Sequence, residues 1–372
     1  MAAPVYLDYN ATAPLRPAAR AALESALAET GNASSVHGPG RAARARIEAA
    51  REQVARLVEA AAEGVVFTSG GTEANNLALA GCGRARVLVS AVEHDSVLRA
   101  APDAEILPVT AEGVVDLAAL EAALRRDGRP ALVSLMLANN ETGVIQPVAE
   151  AAAIARAHGA LVHCDAVQAA GRIPVSLPGL GVDLLSLSAH KLGGPQGAGA
   201  LVLRDGVELS PLLRGGGQER YRRAGTENVP GIAGFGAAAD EAAAEPEVQG
   251  RVAALRDTLE AGLRAAEPSL VVFGAGAPRL PNTCCFAVPG LSAETLLIAL
   301  DLAGVAASSG SACSSGKVRP SHVLAAMGVP PALARGAIRI SLGWASRRAD
   351  VERFLEAWRA LPARRRSALP AA

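Results

Sequence analysis

The stretch Asp183-Leu184-Leu185-Ser186-Leu187-Ser188-Ala189-His190-Lys191, followed closely by Gly193-Gly194-Pro195, is where the fold and the chemistry of this chain meet. It is an apolar run of strand length that stops on polar residues and ends on one of only two lysines, Lys191 and Lys317, in a chain with 34 arginines. A lone lysine in a turn is ordinarily a surface cation. An amine, however, can lose its proton and form a Schiff base, which a guanidinium practically cannot. A chain that meets nearly every other need for a cation with arginine has kept an amine at a strand end.

Outward from that stretch the same pattern repeats. Short apolar, β-branched runs at 65–68, 87–92, 132–137, 161–164, 184–187 and 200–203 alternate with Ala-rich stretches of helical period. Strand and helix in alternation predict an α/β fold with a largely parallel sheet flanked by helices on both faces. Ligands of such sheets sit beyond the carboxyl ends of the strands. The residues found there are Ser69-Gly70-Gly71-Thr72-Glu73, Glu93-His94, Asn139-Asn140-Glu141-Thr142-Gly143, Asp165-Ala166-Val167-Gln168 and Ser188-Ala189-His190-Lys191. Five strand ends with fixed polar chemistry predict one shared site rather than five solvated loops.

The remaining chain fits around this unit. Tyr6 to Pro14 read as an extended arm, unusually polar for a tail, and helices are expected at 16–29 and 41–59. The glycine-rich basic loop Arg214 to Asn228 precedes a helix at 229–244, and Glu245-Pro246 marks a boundary. Beyond it a smaller α/β unit is expected, with helices at 250–265, 292–303, 320–327 and 350–360 and strands at 270–273, 283–288 and 337–342. At 372 residues two domains are the default: a large one over 15–245, and a small one over 1–14 with 246–372 that carries the Cys313 loop.

Composition excludes several classes. Formal charge is zero, which argues against a nucleic-acid or membrane surface recruited by bulk charge. No uninterrupted apolar run of membrane-spanning length and no secretory signal pattern occur, so the cytoplasm is the expected location. The cysteines Cys82, Cys164, Cys284, Cys285 and Cys313 are odd in number and lack CxxC spacing, which predicts neither a disulfide framework nor a metal site of their own.

Taken singly, the strand-end residues have competing explanations. The turn Ser69-Gly70-Gly71-Thr72 can hold a phosphate on free N–H groups, or can use glycine for steric reasons alone. It lacks the GK[ST] ending of a P-loop. Asp165, after a buried run, needs a cationic or donor partner, because an unpartnered buried carboxylate costs several kcal/mol, roughly 2 to 5. It either caps a following helix or keeps a pyridine nitrogen protonated, and a Schiff-base lysine at a later strand end suits the second, the pairing used by pyridoxal phosphate sites. Gln168 can then reach the phenolate oxygen of such a ring, and His94 can stack on it or move protons, unless His94 is only a capping residue. Cys313 lies among Ser and Gly residues where an inert core thiol would have apolar neighbours, which suits a nucleophile, and Lys317 and Arg319 stand nearby.

From Tyr6-Leu7-Asp8 to about Leu342 the chain resembles the cysteine desulfurases of the NifS/IscS type, class V aminotransferase-like enzymes of pyridoxal phosphate fold type I. The motifs are Thr68-Ser69-Gly70-Gly71-Thr72-Glu73-Ala74-Asn75-Asn76, Glu93-His94, Asn139-Asn140-Glu141-Thr142-Gly143, His163-Cys164-Asp165-Ala166-Val167-Gln168, Ser188-Ala189-His190-Lys191, Arg223-Ala224-Gly225-Thr226 and Ser309-Gly310-Ser311-Ala312-Cys313. The resemblance implies pyridoxal 5'-phosphate carried on Lys191, its ring held by Asp165 and Gln168 under His94. The phosphate would lie on Gly71, Thr72, Ser188 and His190, joined by Thr226 from the other subunit of a homodimer. Asn140 and Arg339 would grip the carboxylate of L-cysteine, and Cys313 would accept its sulfur as a persulfide. A sulfur-acceptor protein such as an iron-sulfur scaffold is the implied partner, and Cys313 could share a cluster ligand role with it. A selenocysteine lyase or another class V enzyme shares these residues. Outside the class, the glycine-rich turns alone would also suit a nucleotide-binding module.

Overall fold

A computed structural model describes residues 4–309 and 320–361. Cys313, Lys317 and Arg319, singled out from the sequence, lie outside them. In chain order the strands are β1 (Val5–Tyr6), β2 (Val65–Thr68), β3 (Arg86–Ser90), β4 (Glu105–Leu107), β5 (Ala131–Met136), β6 (Leu161–Asp165), β7 (Leu184–Ser188), β8 (Gly199–Leu203), β9 (Val271–Val272), β10 (Thr283–Ala287), β11 (Val305–Ala306), β12 (Ser308–Ser309) and β13 (Ile338–Ser341).

Seven of them form the large sheet, in the order β2-β8-β7-β6-β5-β3-β4. Strand β8 runs antiparallel to both β2 and β7, and all other pairings are parallel. Because β8 reverses against both neighbours, β2, β7, β6, β5 and β3 all point the same way. Their carboxyl ends therefore share one edge. Strands β5, β6, β7 and β8 are buried almost throughout, as expected of a sheet covered on both faces. One face packs on the helices Gly38–Leu57 and Val229–Ala244, the other on Gly71–Gly81, and each face has its own apolar cluster.

The second sheet is antiparallel, in the order β12-β13-β10-β9, with a core that includes Val5, Leu7, Leu259, Phe286, Ile340, Phe354 and Trp358. Phe286 meets Trp358 edge to face at 5.4 Å between centroids. The N-terminal arm belongs to this layer: β1 pairs with β11, and the Asn10 N–H donates to Ser341 Oγ at 2.9 Å.

The differences from the expected elements have local causes. The helix expected from 41 starts at Gly38, because His37 caps it, its Nδ1 accepting from the Gly40 N–H, and Pro39 occupies the first turn. The run expected at 87–92 ends at Ser90, where the Ser90 side chain accepts from the Val92 N–H and turns the chain. Strands β1, β4, β11 and β12 are two or three residues long and carry no readable alternation. The short segment after His94 makes one helical turn, Asp95–Leu98.

Candidate active site

The five strand ends open onto a cavity of about 390 Å³ lined by Gly71, Thr72, His94, Asn140, Asp165, Gln168, Ser188, His190, Lys191 and Arg339, together with Asn10, Asn75 and Ser96. Ten of the residues singled out from sequence are brought together here. Thr226 is not: it lines a neighbouring cleft with Ser69, Gly197 and Arg223. Cys313 lies outside the described residues.

Each side chain is placed by its element. The helix Gly71–Gly81 starts directly at the carboxyl end of β2, so its first N–H groups face the cavity with Thr72 beside them. A Cβ on Gly71 would stand 2.8 Å from Val167 Cγ2 and crowd the same space, which is why glycine is required there. Ser188 ends β7, and Ala189–Lys191 make a single 3-10 turn that aims His190 and Lys191 back over the strand ends. His190 Nδ1 lies 3.2 Å from Thr12 Oγ1; burial, then the Lys191 and Arg172 charges, push its pKa down to about 4, so its ring is neutral.

Asp165 ends β6, and no helix follows it directly. Its Oδ1 accepts from the Val167 N–H at 2.9 Å and its Oδ2 from Asn75 Nδ2 at 2.7 Å. Asn75 also donates to Ser96 Oγ at 2.9 Å, while its own Oδ1 is buried without a hydrogen-bond partner. His94 is a capping residue and also lines the cavity. It caps Asp95–Leu98, with Nδ1 accepting from the Ser96 N–H at 3.1 Å, and its ring lines the cavity. An accepting Nδ1 leaves the proton of the neutral ring on Nε2.

Behind this wall sits Glu93, buried, with Oε1 accepting from the Met136 N–H at 2.8 Å and Oε2 unpartnered among the described residues. Burial pushes its carboxyl well above the ordinary range, helped by the charge of Asp165. It props the strand ends, and its backbone carbonyl meets His322 Nε2 at 2.9 Å. Glu141 is also buried, accepts from Ser321 Oγ at 2.6 Å, and is raised to about 7, chiefly by burial.

The opposite wall comes from the second sheet. Arg339 is 2% exposed and donates from NH1 to the Asn140 carbonyl at 2.9 Å and from NH2 to Asp8 Oδ1 at 2.8 Å. Its Nε is buried without a partner among the described residues. Gly143, at φ +78°, lets the Asn139–Gly143 loop pass Thr283, where any Cβ would come within 2.8 Å.

The arm supplies the residue that sequence left without a role. Asn10 donates from Nδ2 to the Asn140 carbonyl and to Thr283 Oγ1, and its Oδ1 accepts from Arg172 and Asn282. Its carbonyl accepts from Lys191 Nζ and from Gln168 Nε2. The signal was the excess of polar side chains in the arm. For Asn75 it was a polar side chain on the buried stripe of a helix, 1% exposed beside Ala74 and Ala78.

These residues fit pyridoxal 5'-phosphate. An amine, a buried carboxylate fixed by two donors, a neutral imidazole and a glycine-opened helix start with hydroxyls beside it are the donor set that the imine carbon, ring nitrogen, ring face and phosphate require. Fold and site together define a pyridoxal phosphate enzyme of fold type I. The chain belongs to the aminotransferase class-V family, which it matches over residues 5–354. It is 47% identical to a cysteine desulfurase of Cereibacter sphaeroides, with 95% of this chain and 94% of that protein covered. It is 44% identical to the cysteine desulfurase IscS of Dictyoglomus turgidum, covering 95% and 93%. Among solved structures, a NifS-like protein from Rickettsia africae superposes with a TM-score of 0.89 at 37% identity, over 95% of this chain and 98% of that one.

Proposed function

We propose that this protein is a pyridoxal phosphate-dependent cysteine desulfurase, which converts L-cysteine to L-alanine and passes the sulfur to Cys313 as a persulfide. The carrying observation is that Lys191, Asp165, Gln168, His94 and the buried, half-satisfied Arg339 line one cavity. When bound, the cofactor supplies the electron sink that makes the substrate's Cα proton removable. The protein's own groups do the rest. Lys191 carries the cofactor at rest and takes the Cα proton once its amine is free. Asp165, held by Asn75 and the Val167 N–H, would hold the ring nitrogen of the cofactor. Arg339 and Asn140 hold the substrate carboxylate.

The Cys313 thiolate attacks the substrate sulfur. The new S–S bond forms as the Cβ–S bond breaks, its electron pair staying on the carbon fragment, which takes a proton from His94 Nε2 at Cβ and one at Cα and leaves as alanine. The persulfide is then available to a sulfur-acceptor protein such as an iron-sulfur scaffold, with Cys313 as a possible shared cluster ligand.

Two copies make the complete enzyme in this proposal. Thr226 does not line its own chain's cavity, and Tyr221 of the same loop, with Leu212 and Leu213 just before it, is an exposed group that a second copy would cover. Residues 15–245 then form the cofactor domain, and 1–14 with 246–372 the smaller one; their separate apolar clusters support this division. No helix among the described residues is long and apolar enough to cross a membrane.

The test is mass spectrometry after incubation with L-cysteine. One sulfur should map to Cys313 with alanine released. Cys313→Ser should release no alanine while still exchanging the Cα proton with solvent deuterium, and Lys191→Ala should do neither. Undiminished alanine release by Cys313→Ser removes the thiol from the mechanism.

A further inference from the structure

Arg172 lies one turn beyond Gln168, behind the cavity rather than in its wall. It is 7% exposed. Its NH1 donates to Asn10 Oδ1 at 2.7 Å, to the Gln168 carbonyl at 3.2 Å and to Gln168 Oε1; its NH2 donates to the carbonyls of Tyr9 at 3.1 Å and Lys191 at 3.3 Å. Every one of these acceptors is neutral. Among the described residues the other buried arginines of this wall behave differently: Arg16 pairs with Glu241 and Glu245, and Arg339 with Asp8. A buried cation normally carries its counter-ion with it, since desolvation without one costs several kcal/mol. Arg172 instead has another cation for a neighbour, Arg339 from β13, close enough to feel its charge, and its own charge helps to keep the His190 ring neutral.

The hydrogen bonds also settle the orientation of the Gln168 amide. With Oε1 engaged by Arg172, only the Nε2 N–H groups are left for the cavity side, where one already donates to the Asn10 carbonyl at 3.0 Å. We propose that Arg172 is a positioning residue for the reaction: it fixes Gln168 as a donor towards the cavity and holds an uncompensated positive charge behind it, so that the site is prepared for the phenolate oxygen of the cofactor. This rests on the pyridoxal phosphate assignment of the cavity. It acts through Gln168, Asn10 and the Lys191 carbonyl, and touches neither cofactor nor substrate.

The charge has a consequence that a packing role lacks. Positive charge behind the phenolate favours the form of the Lys191-bound chromophore that has lost its proton, and removing that charge favours the protonated form. The other charged groups that face the same region, Arg339 with Asp8, Lys191 and Asp165, stay in place on substitution at 172, while His190, whose pKa Arg172 helps to lower, is the one neighbour whose titration moves with it.

The experiment is a spectrophotometric pH titration of the holoenzyme, wild type beside Arg172→Met, Arg172→Gln and Arg172→Lys. Both neutral variants should move the chromophore's midpoint upward by about one unit or more, and Arg172→Lys should restore most of the wild-type midpoint. Arg172→Gln can keep a hydrogen bond to Asn10, so it carries the comparison if Arg172→Met fails to fold. A midpoint within a few tenths of a unit of wild type in a folded neutral variant that retains the chromophore overturns the proposal. A shift shared equally by Arg172→Lys overturns it too, because then geometry and not charge is responsible. A wild-type protein that forms no chromophore on Lys191 overturns the cofactor assignment itself, and this inference with it.

Discussion

Substitution of Arg339 by Ala separates what this guanidinium does for the fold from what it does for the substrate. In the free protein NH1 donates to the Asn140 carbonyl and NH2 to Asp8, each with a second N–H to spare, while Nε is buried with no partner among the described residues. A substrate carboxylate arriving at the cavity side of Arg339 would gain a charge-assisted contact with the remaining N–H groups of the guanidinium. Truncating one partner of such a pair costs about 2 to 5 kcal/mol. A central value of about 3 kcal/mol corresponds to a fall of about 100-fold in kcat/KM. The contact exists before and during proton removal, so most of the loss should fall on KM, with kcat preserved within about tenfold. The structural part, an unpaired Asp8 and an Asn140 carbonyl without its donor, should appear separately as lost folding free energy in denaturant titrations. The assay is steady-state alanine release across L-cysteine concentration, repeated with ethylguanidinium added to fill the space left by the side chain. Partial rescue of Arg339→Ala, absent for the wild type, is expected. A kcat/KM within threefold of wild type, or a loss confined to kcat with KM unchanged, would refute the assignment of Arg339 to the substrate carboxylate.

Two buried titratable groups give pH predictions of opposite sign. His163 is held between Ser134 Oγ and Ser186 Oγ, and burial pushes its pKa down to about 4 from an ordinary 6.5. Its stabilisation is complete above about 6.5 and is lost as pH falls towards 4, up to about 3 kcal/mol; His163→Gln should lose that segment of acid sensitivity in urea titrations, and an unchanged slope would count against a neutral buried ring. Glu141, raised by burial to about 7 from 4.5, behaves in reverse: its folded form is favoured below about 4.5 and penalised as pH rises through 7. Glu141→Gln, which can still accept from Ser321, should therefore gain on the wild type between pH 5 and 8 by roughly 2 to 3 kcal/mol, and a difference that does not grow with pH would contradict it.

Much of the cavity was legible because the chemistry repeats one topological address. Asp165, Ser188, His190 and Lys191 each follow an apolar run, and runs of that kind in alternation with helices place their ends together whatever the details of packing. What escaped was decided by partners far apart in sequence. Asn10 became a junction only because β1 pairs with β11, which sets the arm beside Ser341 and carries its carbonyl to Lys191 and Gln168. Asn75 is one polar residue in an Ala-rich helix until that helix lies against the end of β6 and puts its amide on Asp165.

The sequence by itself determined the strand-helix alternation, the edge on which the polar chemistry lies and the amine chosen for it, since periodicity and residue type are local properties. The reversal of β8, the single cavity shared by two sheets and the uncompensated charge of Arg172 were decided by tertiary structure. Each depends on which surfaces are taken out of water together, and only there does a missing counter-ion or an unspent N–H acquire an energetic meaning.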